Sequence, residues 1–219
     1  MGKKIIVIFI ISMLIIVFGI FVRIRYTKNT DIKGHFMEKL QPDIVKGNLI
    51  TLKPLQEQFI EEYYHMFSPI VRQAIGLPST SDLQETTDFL RAIMDDPQHL
   101  MFYCIFDNPT NKLIGAVVIR TPDHPNGQLG AWLNENFWGG ERYQEALYLA
   151  LKKYFDYKAN NSIFAFVAVD NKRSLKAHQK MGFEIVQKSP YDAECCQGKK
   201  THKIALTRVA FKLEQKHFE

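Results

Sequence analysis

The sequence predicts an α/β fold with a mixed, mostly antiparallel central sheet and helices on both faces. The first observation behind it is the order of elements: a strand, two helices, three strands, a helix, a strand, a helix and two closing strands. The second is the segment 162–169, which is nearly all apolar, as expected for a central strand that is covered on both faces.

Alternation, helical spacing and turn residues identify the first elements. Residues 48–55 alternate as a strand. Residues 56–75 carry apolar side chains at helical spacing, and Pro69 interrupts them, so two short helices are expected there. Ser79 or Ser81 is expected to cap the next helix. Three strands should follow, over 99–107, 112–120 and 128–134.

The second half contains a strand that leads directly into a helix. An amphipathic helix over 143–157 precedes the strand at 162–169, and a helix over 172–181 follows it and stops at Gly182. The turn between them carries Asn171 and Ser174, and polar groups at such a junction commonly build a ligand site. Closing strands are expected at 183–188 and 201–213.

The N-terminal run 5–22 contains 18 residues without a charge and would span roughly 27 Å as a helix, close to the thickness of a bilayer core. It ends in a poor signal-peptide cleavage site, so a transmembrane anchor is predicted. The stronger basic flank follows the run, which favours a single-pass protein with its domain on the cytoplasmic face. The predicted organisation is an anchor with basic flanks at 1–28, a linker at 29–46 and a folded domain at 47–219.

Charge and cysteine content narrow the function classes. The formal net charge is +5, but five basic residues and no acidic residue lie in 1–28. The rest of the chain therefore contains 23 basic and 23 acidic residues. The folded part therefore gives no support for nucleic-acid binding. Cys104 lies in an apolar strand, and Cys195 and Cys196 are adjacent, so no disulfide framework is expected. The histidines show no metal-ligand spacing, and no metal site is predicted.

Three motifs in a fixed order resemble those of a known enzyme family. Leu113-Ile114-Gly115 opens a strand, Trp138-Gly139 precedes Glu145-Ala146-Leu147 by seven residues, and Asn171-x-x-Ser174 precedes Met181-Gly182-Phe183. The chain, from about residue 47 onward, thereby resembles the GNAT family of acetyl-CoA-dependent N-acetyltransferases. Within that family it is most similar to the branch that includes ribosomal-protein N-terminal acetyltransferases.

The resemblance implies a GNAT-like acyl-CoA N-acyltransferase fold with acetyl-CoA as co-substrate. Pantetheine would lie between two splayed strands, and the pyrophosphate at a helix N-terminus. An amine would attack the thioester directly; the acceptor could be a protein N-terminus, a small molecule or a membrane-linked amine. The cofactor-binding residues implied are Leu133, Trp138, Gly139, Gly140, Arg142, Tyr143, Asn171 and Ser174.

The pyrophosphate loop departs from the family pattern, because Glu141 and Tyr143 stand where small residues are usual. Arg142 could offset the charge of Glu141, and the preceding glycine pair could supply the flexibility. Two alternatives remain open: a degenerate fold used as a binding or regulatory module without catalysis, and an enzyme that uses a longer acyl-CoA.

Two residues are predicted to be catalytic. His178 stands four residues before Gly182, where many family members have a tyrosine that protonates the thiolate; its alternative is a helix-surface residue. Glu135, directly after the strand predicted over 128–134, is a candidate general base. The alternative interpretation of Glu135 is a solvated loop carboxylate.

Overall fold

A computed structural model describes residues 43–75, 82–95, 100–120, 126–156, 161–187, 191–192 and 200–214. The predicted anchor, most of the predicted linker, and Cys195 and Cys196 lie outside these residues. Within them, no helix is both long enough and apolar enough to cross a membrane.

Strands and helices alternate much as the sequence predicts. The described strands are β1 (Val45–Lys46), β2 (Ile50–Pro54), β3 (Leu100–Asp107), β4 (Lys112–Arg120), β5 (Asn126–Leu133), β6 (Ser162–Ala168), β7 (Glu184–Ile185), β8 (Tyr191–Asp192) and β9 (Lys200–Thr207). The described α-helices are α1 (Ile60–His65), α2 (Pro69–Ile75), α3 (Leu83–Asp95), α4 (Arg142–Asp156), α5 (Lys172–Gln179) and α6 (Arg208–Glu214). Short 3-10 helices cover Glu57–Phe59 and Glu135–Phe137.

All described strands belong to one sheet, in the order β1-β2-β3-β4-β5-β6-β9-β7, with β8 also paired to β9. Its described pairs are antiparallel except β5 with β6, which run parallel. The β5–β6 pairing covers only Asn126 to Gln128 against Ser162 to Phe164. Beyond that register the two strands part, and this opening positions the candidate site.

Helices cover both faces of the sheet, which confirms the predicted fold class. Alternate residues of β3 supply the two cores, as the period of a strand requires. Tyr103 and Ile105 pack in the core with α4 and α6, and Phe102 and Cys104 pack in the core with α1, α2 and α3. Each face therefore has its own apolar layer.

Two predicted boundaries are corrected. The last strand ends at Thr207 rather than 213, because Thr207 caps a new helix: its Oγ1 accepts a hydrogen bond from the N–H of Ala210 at 3.2 Å. Phe211 of that helix is buried against Phe155, with ring centroids 5.2 Å apart. The helix predicted to begin at Ser79 or Ser81 begins at Leu83, where an Asp82 oxygen accepts from the N–H of Glu85 at 2.7 Å.

Glu145, in the first turns of α4, fixes that helix to the start of the sheet. Its two carboxylate oxygens accept hydrogen bonds from the backbone N–H groups of Asn48, Leu49 and Ile50, at 2.6, 2.8 and 3.0 Å. A Cβ atom at Gly47 would lie 2.8 Å from this carboxyl group, so only glycine lets the chain approach so closely. The glutamate of the EAL motif therefore has a structural role.

Candidate active site

A cavity of about 520 Å³ opens where β5 parts from β6. Three consecutive β5 residues, Ala131, Trp132 and Leu133, line it. Val71, which also lines the cavity, belongs to one apolar layer and Tyr143 packs against the other, so the lining comes from both faces of the sheet at this edge. The remaining lining residues are Val71, Trp138, Gly139, Gly140, Tyr143, Gln144, Asn171, Lys172, Arg173, Ser174, Lys176, Ala177 and Lys180.

The loop between β5 and α4 forms one wall. The indole Nε1 of Trp138 donates a hydrogen bond to the carbonyl oxygen of Leu133 at 2.8 Å, which fixes the plane of its ring. Gly139 and Gly140 then adopt φ values of 89° and 63°. These left-handed conformations favour glycine, so the glycine pair turns the chain into α4. Glu141 is exposed and does not line the cavity.

Arg142 turns away from the cavity toward the end of β3. Its Nε donates to an Asp107 carboxylate oxygen at 2.7 Å, and Asp107 is only 1% exposed. The other oxygen of Asp107 accepts from the N–H and the hydroxyl of Thr110, at 3.2 and 2.6 Å. Burial alone would raise the pKa of Asp107, but these hydrogen bonds and the guanidinium together hold that pKa below its ordinary value.

Tyr143 crosses the cleft toward the free edge of β5. Its hydroxyl lies 3.5 Å from the carbonyl oxygen of Ala131, and Tyr143 lines the cavity beside Gln144. Burial raises the pKa of Tyr143, so the phenol is neutral at physiological pH. A large side chain therefore occupies part of the space that a smaller residue would leave open.

The opposite wall is the start of α5. Asn171 caps this helix, because its Oδ1 accepts from the N–H of Ser174 at 3.1 Å, and both residues line the cavity. Four cationic side chains line the same wall: Lys172, Arg173, Lys176 and Lys180. Within the described residues, none of the four pairs with a carboxylate.

His178 lies behind this wall and is only 4% exposed. Its Nδ1 is 2.8 Å from the carbonyl oxygen of Ser174, and since that oxygen can only accept, Nδ1 carries the proton. The ring packs edge-on against Phe183 and Tyr143, with centroids 5.2 and 6.0 Å away. Burial lowers the pKa of His178, which keeps the imidazole neutral at pH 7.

Glu135 lies on the other side of the sheet edge, beside α2. Its Oε2 accepts a hydrogen bond from the Ser68 hydroxyl at 2.7 Å, and Ser68 Oγ in turn accepts from the N–H of Val71 at 3.2 Å. Neither Glu135 nor His178 is among the residues that line the cavity. The structure thus gathers seven of the eight predicted cofactor-binding residues around one cavity, and directs Arg142 elsewhere.

The sequence-based set omits nine lining residues: Val71, Ala131, Trp132, Gln144, Lys172, Arg173, Lys176, Ala177 and Lys180. Gln144 Oε1 is buried and has no hydrogen-bond partner among the described residues, which is unusual for a polar atom unless a ligand engages it. One sequence signal points to the cations. Lys172 and Arg173 occupy the first turn of α5, where the helix dipole disfavours positive charge and where an anion would bind.

Comparisons with known proteins agree with this geometry. Residues 50–184 match the family model described as an acetyltransferase (GNAT) domain. No curated protein sequence is significantly similar to the chain. Among solved structures, an acetyl transferase from Salmonella typhimurium, described as modifying the N-terminal serine of ribosomal protein L7/L12, has a TM-score of 0.66 and 16% identity, covering 75% of this chain and 99% of its own.

Two further structures were solved with ligands. The spermidine N-acetyltransferase from Vibrio cholerae, in complex with CoA and spermine, has a TM-score of 0.65 and 14% identity, covering 75% of this chain and 98% of its own. The microcin C7 self-immunity acetyltransferase, in complex with acetyl-CoA and AMP, has a TM-score of 0.64 and 21% identity, covering 77% of this chain and 98% of its own. These likenesses establish the fold, and because the family model matches more than half of the sequence, the chain belongs to the GNAT acetyltransferase family, as its motifs predict.

Proposed function

We propose that this protein is a membrane-anchored, acetyl-CoA-dependent N-acetyltransferase that acetylates an amine by direct attack on the thioester. One observation carries the proposal: a cavity that is lined from both faces of the sheet opens at the free edge of β5. An extended arm can add to such an edge as an extra strand. An amine can then approach the end of that arm from the opposite face.

The lining residues fit an anionic carrier with a polar arm. Gly139 and Gly140 let the backbone approach phosphates, and the first turn of α4 follows them directly. Cations that pair with no carboxylate among the described residues occupy the facing wall, and the buried Gln144 Oε1 needs a donor. We assign cofactor binding to Leu133, Trp138, Gly139, Gly140, Tyr143, Asn171 and Ser174, with Arg142 supporting the loop through Asp107.

The reaction needs two proton transfers. The amine nitrogen bonds to the carbonyl carbon, the carbon–sulfur bond breaks, the nitrogen loses a proton and the thiolate gains one. We propose Glu135 as the acceptor of the first proton, since it lies on the α2 side of the sheet edge. We propose that the second comes from the imidazolium form of His178, which returns to the neutral imidazole when its proton passes by way of Ser174, a cavity-lining residue whose hydroxyl lies 3.4 Å from His178 Nδ1.

The acceptor is proposed to be a primary amine on a protein N-terminus, a small molecule or a membrane-linked compound. The first class follows the ribosomal-protein branch that the motifs resemble, and the third follows the predicted anchor at residues 5–22. In this proposal residues 1–28 hold the protein in the membrane, 29–46 link it, and the domain at 47–219 faces the cytoplasm. A protease-protection assay that finds the domain on the far side would overturn that orientation.

The test of the proposed activity uses the full chain in detergent micelles. Calorimetry should detect one-site binding of acetyl-CoA, and acetylation of amine-terminated peptides and polyamines should release CoA, measured by chromatography. Absence of acetyl-CoA binding by a folded sample contradicts the proposal.

A second candidate function, a binding module without catalysis, is favoured by Tyr143 alone, because its hydroxyl lies beside the Ala131 carbonyl in the cleft. The variant Tyr143→Ala with Glu141→Gly separates the two. If only the variant binds acetyl-CoA, the native protein is such a module; if the native chain binds and turns over, it is an enzyme.

A further inference from the structure

We propose that Arg173, held face-on by Trp138, is a phosphate-binding clamp that makes the cleft selective for phosphorylated acyl carriers. The proposal rests on the proposed function, because it concerns the carrier that supplies the acyl group. In this proposal the Arg173 side chain makes the cleft bind acetyl-CoA more tightly than an acetyl thioester that lacks the phosphates.

The clamp joins the two walls of the cleft. The central guanidinium carbon of Arg173 lies 3.2 Å from the centre of the Trp138 ring, a close cation–π contact. Trp138 follows β5, whereas Arg173 follows β6, and these are the two strands that part. Since the Trp138 indole is itself fixed by its hydrogen bond to Leu133, the stack sets the position of the guanidinium.

Stacking occupies the face of the guanidinium, and no group of the described residues accepts a hydrogen bond from its N–H edge. Arg91 and Arg142 each pair with a carboxylate, whereas no described carboxylate pairs with Arg173. A guanidinium presents five donors in a planar fork that matches two phosphate oxygens. An aromatic ring thus holds Arg173 in place without consuming the donors that an anion would need.

The surrounding charge favours a phosphorylated ligand over a single carboxylate. Lys172, Lys176 and Lys180 line the same wall, and the backbone of Gly139 and Gly140 lines the facing one. A monoanion would leave most of these cations uncompensated. A group of linked phosphates can reach several of them at once, and the Arg173 fork lies between the two walls.

The experiment compares two ligands and three variants. Acetyl-CoA and S-acetylpantetheine, which lacks every phosphate, are titrated into the full-length wild type, R173Q, R173K and R91Q. R91Q is the matched control, because it removes the same charge from an exposed ion pair outside the cavity. R173Q should weaken acetyl-CoA binding by about 10- to 100-fold, as expected for lost charge-assisted hydrogen bonds.

R173K, which keeps the charge but not the planar fork, should lie between R173Q and wild type. Affinity for S-acetylpantetheine should not change in any variant, and R91Q should match wild type with both ligands. Equal acetyl-CoA affinity in R173Q and wild type overturns the clamp. So does an equal loss of affinity for both ligands in R173Q. Failure of wild type to bind acetyl-CoA overturns the proposed function instead, so the two failures are distinguishable.

Fluorescence tests the stack without any ligand. The chain has two tryptophans, Trp132 and Trp138, so Trp132→Phe leaves a single indole. In that background, R173Q should change the intensity and wavelength of Trp138 emission, and R91Q should not. Identical emission from the folded W132F and W132F/R173Q proteins overturns the clamp, and thermal denaturation confirms that both are folded.

Discussion

The hydroxyl of Tyr154 accepts a hydrogen bond from the backbone N–H of Gly127 at 2.7 Å. The same hydroxyl donates to the carbonyl oxygen of Ser162 at 2.8 Å, so it links the start of β5 to the start of β6. A Cβ at residue 127 would lie 2.8 Å from the tyrosine ring, so glycine is needed for the contact. The link closes one end of the paired strands, and the cleft opens at the other end.

Tyr154→Phe should lower the free energy of unfolding by about 1–3 kcal/mol, because it leaves a buried N–H and a carbonyl without a partner. Urea denaturation measures this difference. Tyr63→Phe is the matched control, since the buried Tyr63 hydroxyl makes no hydrogen bond to a backbone group of the described residues. Its removal should be neutral or stabilising. Equal destabilisation by the two variants would show that lost packing, not the hydrogen bonds, is responsible.

Glu145→Gln should destabilise the fold by about 1–3 kcal/mol, because the amide replaces one of two oxygens that together accept from three backbone N–H groups. Chemical denaturation gives the value. Glu141→Gln, on the same helix start but exposed, should change stability by less than about 0.5 kcal/mol. If the two variants behaved alike, the link between α4 and the β1–β2 turn would not contribute to stability.

Asp107 should make the protein less stable in acid. Its pKa is lower in the folded state than its ordinary value of 3.8, so its contribution is present above that value. The contribution is lost as the pH falls through the folded-state pKa. Denaturation of wild type and Asp107→Asn between pH 7 and pH 2 should show a stability difference that shrinks at the acid end. A difference that is constant with pH would contradict this.

His178 should give a second pH dependence, at higher pH. Burial lowers its folded-state pKa, so the unfolded chain binds a proton more readily. Stability is therefore full above the unfolded pKa of about 6.5 and falls as the pH drops from there toward the folded value. Thermal denaturation between pH 8 and pH 5 should show this slope in wild type and a smaller one in His178→Gln. An unchanged slope in the variant assigns it to another group.

The sequence predicts the sheet, the helices on both faces and most of the cleft, because those features depend on local patterns. Asn171 caps α5 and the glycine pair turns the loop, and both effects arise within a few residues. The direction of Arg142 depends on Asp107, 35 residues away, and no local pattern reveals that pairing. For the helix after β9 the sequence predicts a strand instead, since a short apolar alternation fits either structure.

Burial explains why the proposed proton carriers are harder to place from sequence. His178 occupies a helix position that could face either way, and the T-shaped contacts with Phe183 and Tyr143 turn it inward. Glu135 follows the end of β5, and its hydrogen-bond partner is the hydroxyl of Ser68, which lies before α2. In both cases the deciding neighbour belongs to a different element.

The contribution of Ala131, Trp132 and Leu133 to one cavity has a kinetic consequence. A cavity of about 520 Å³ that is lined from both faces of the sheet can hold the acyl donor and the amine together, so steady-state rates should follow a sequential rather than a ping-pong pattern. A large partner needs to insert only its amine-bearing tip, while the rest of it stays outside.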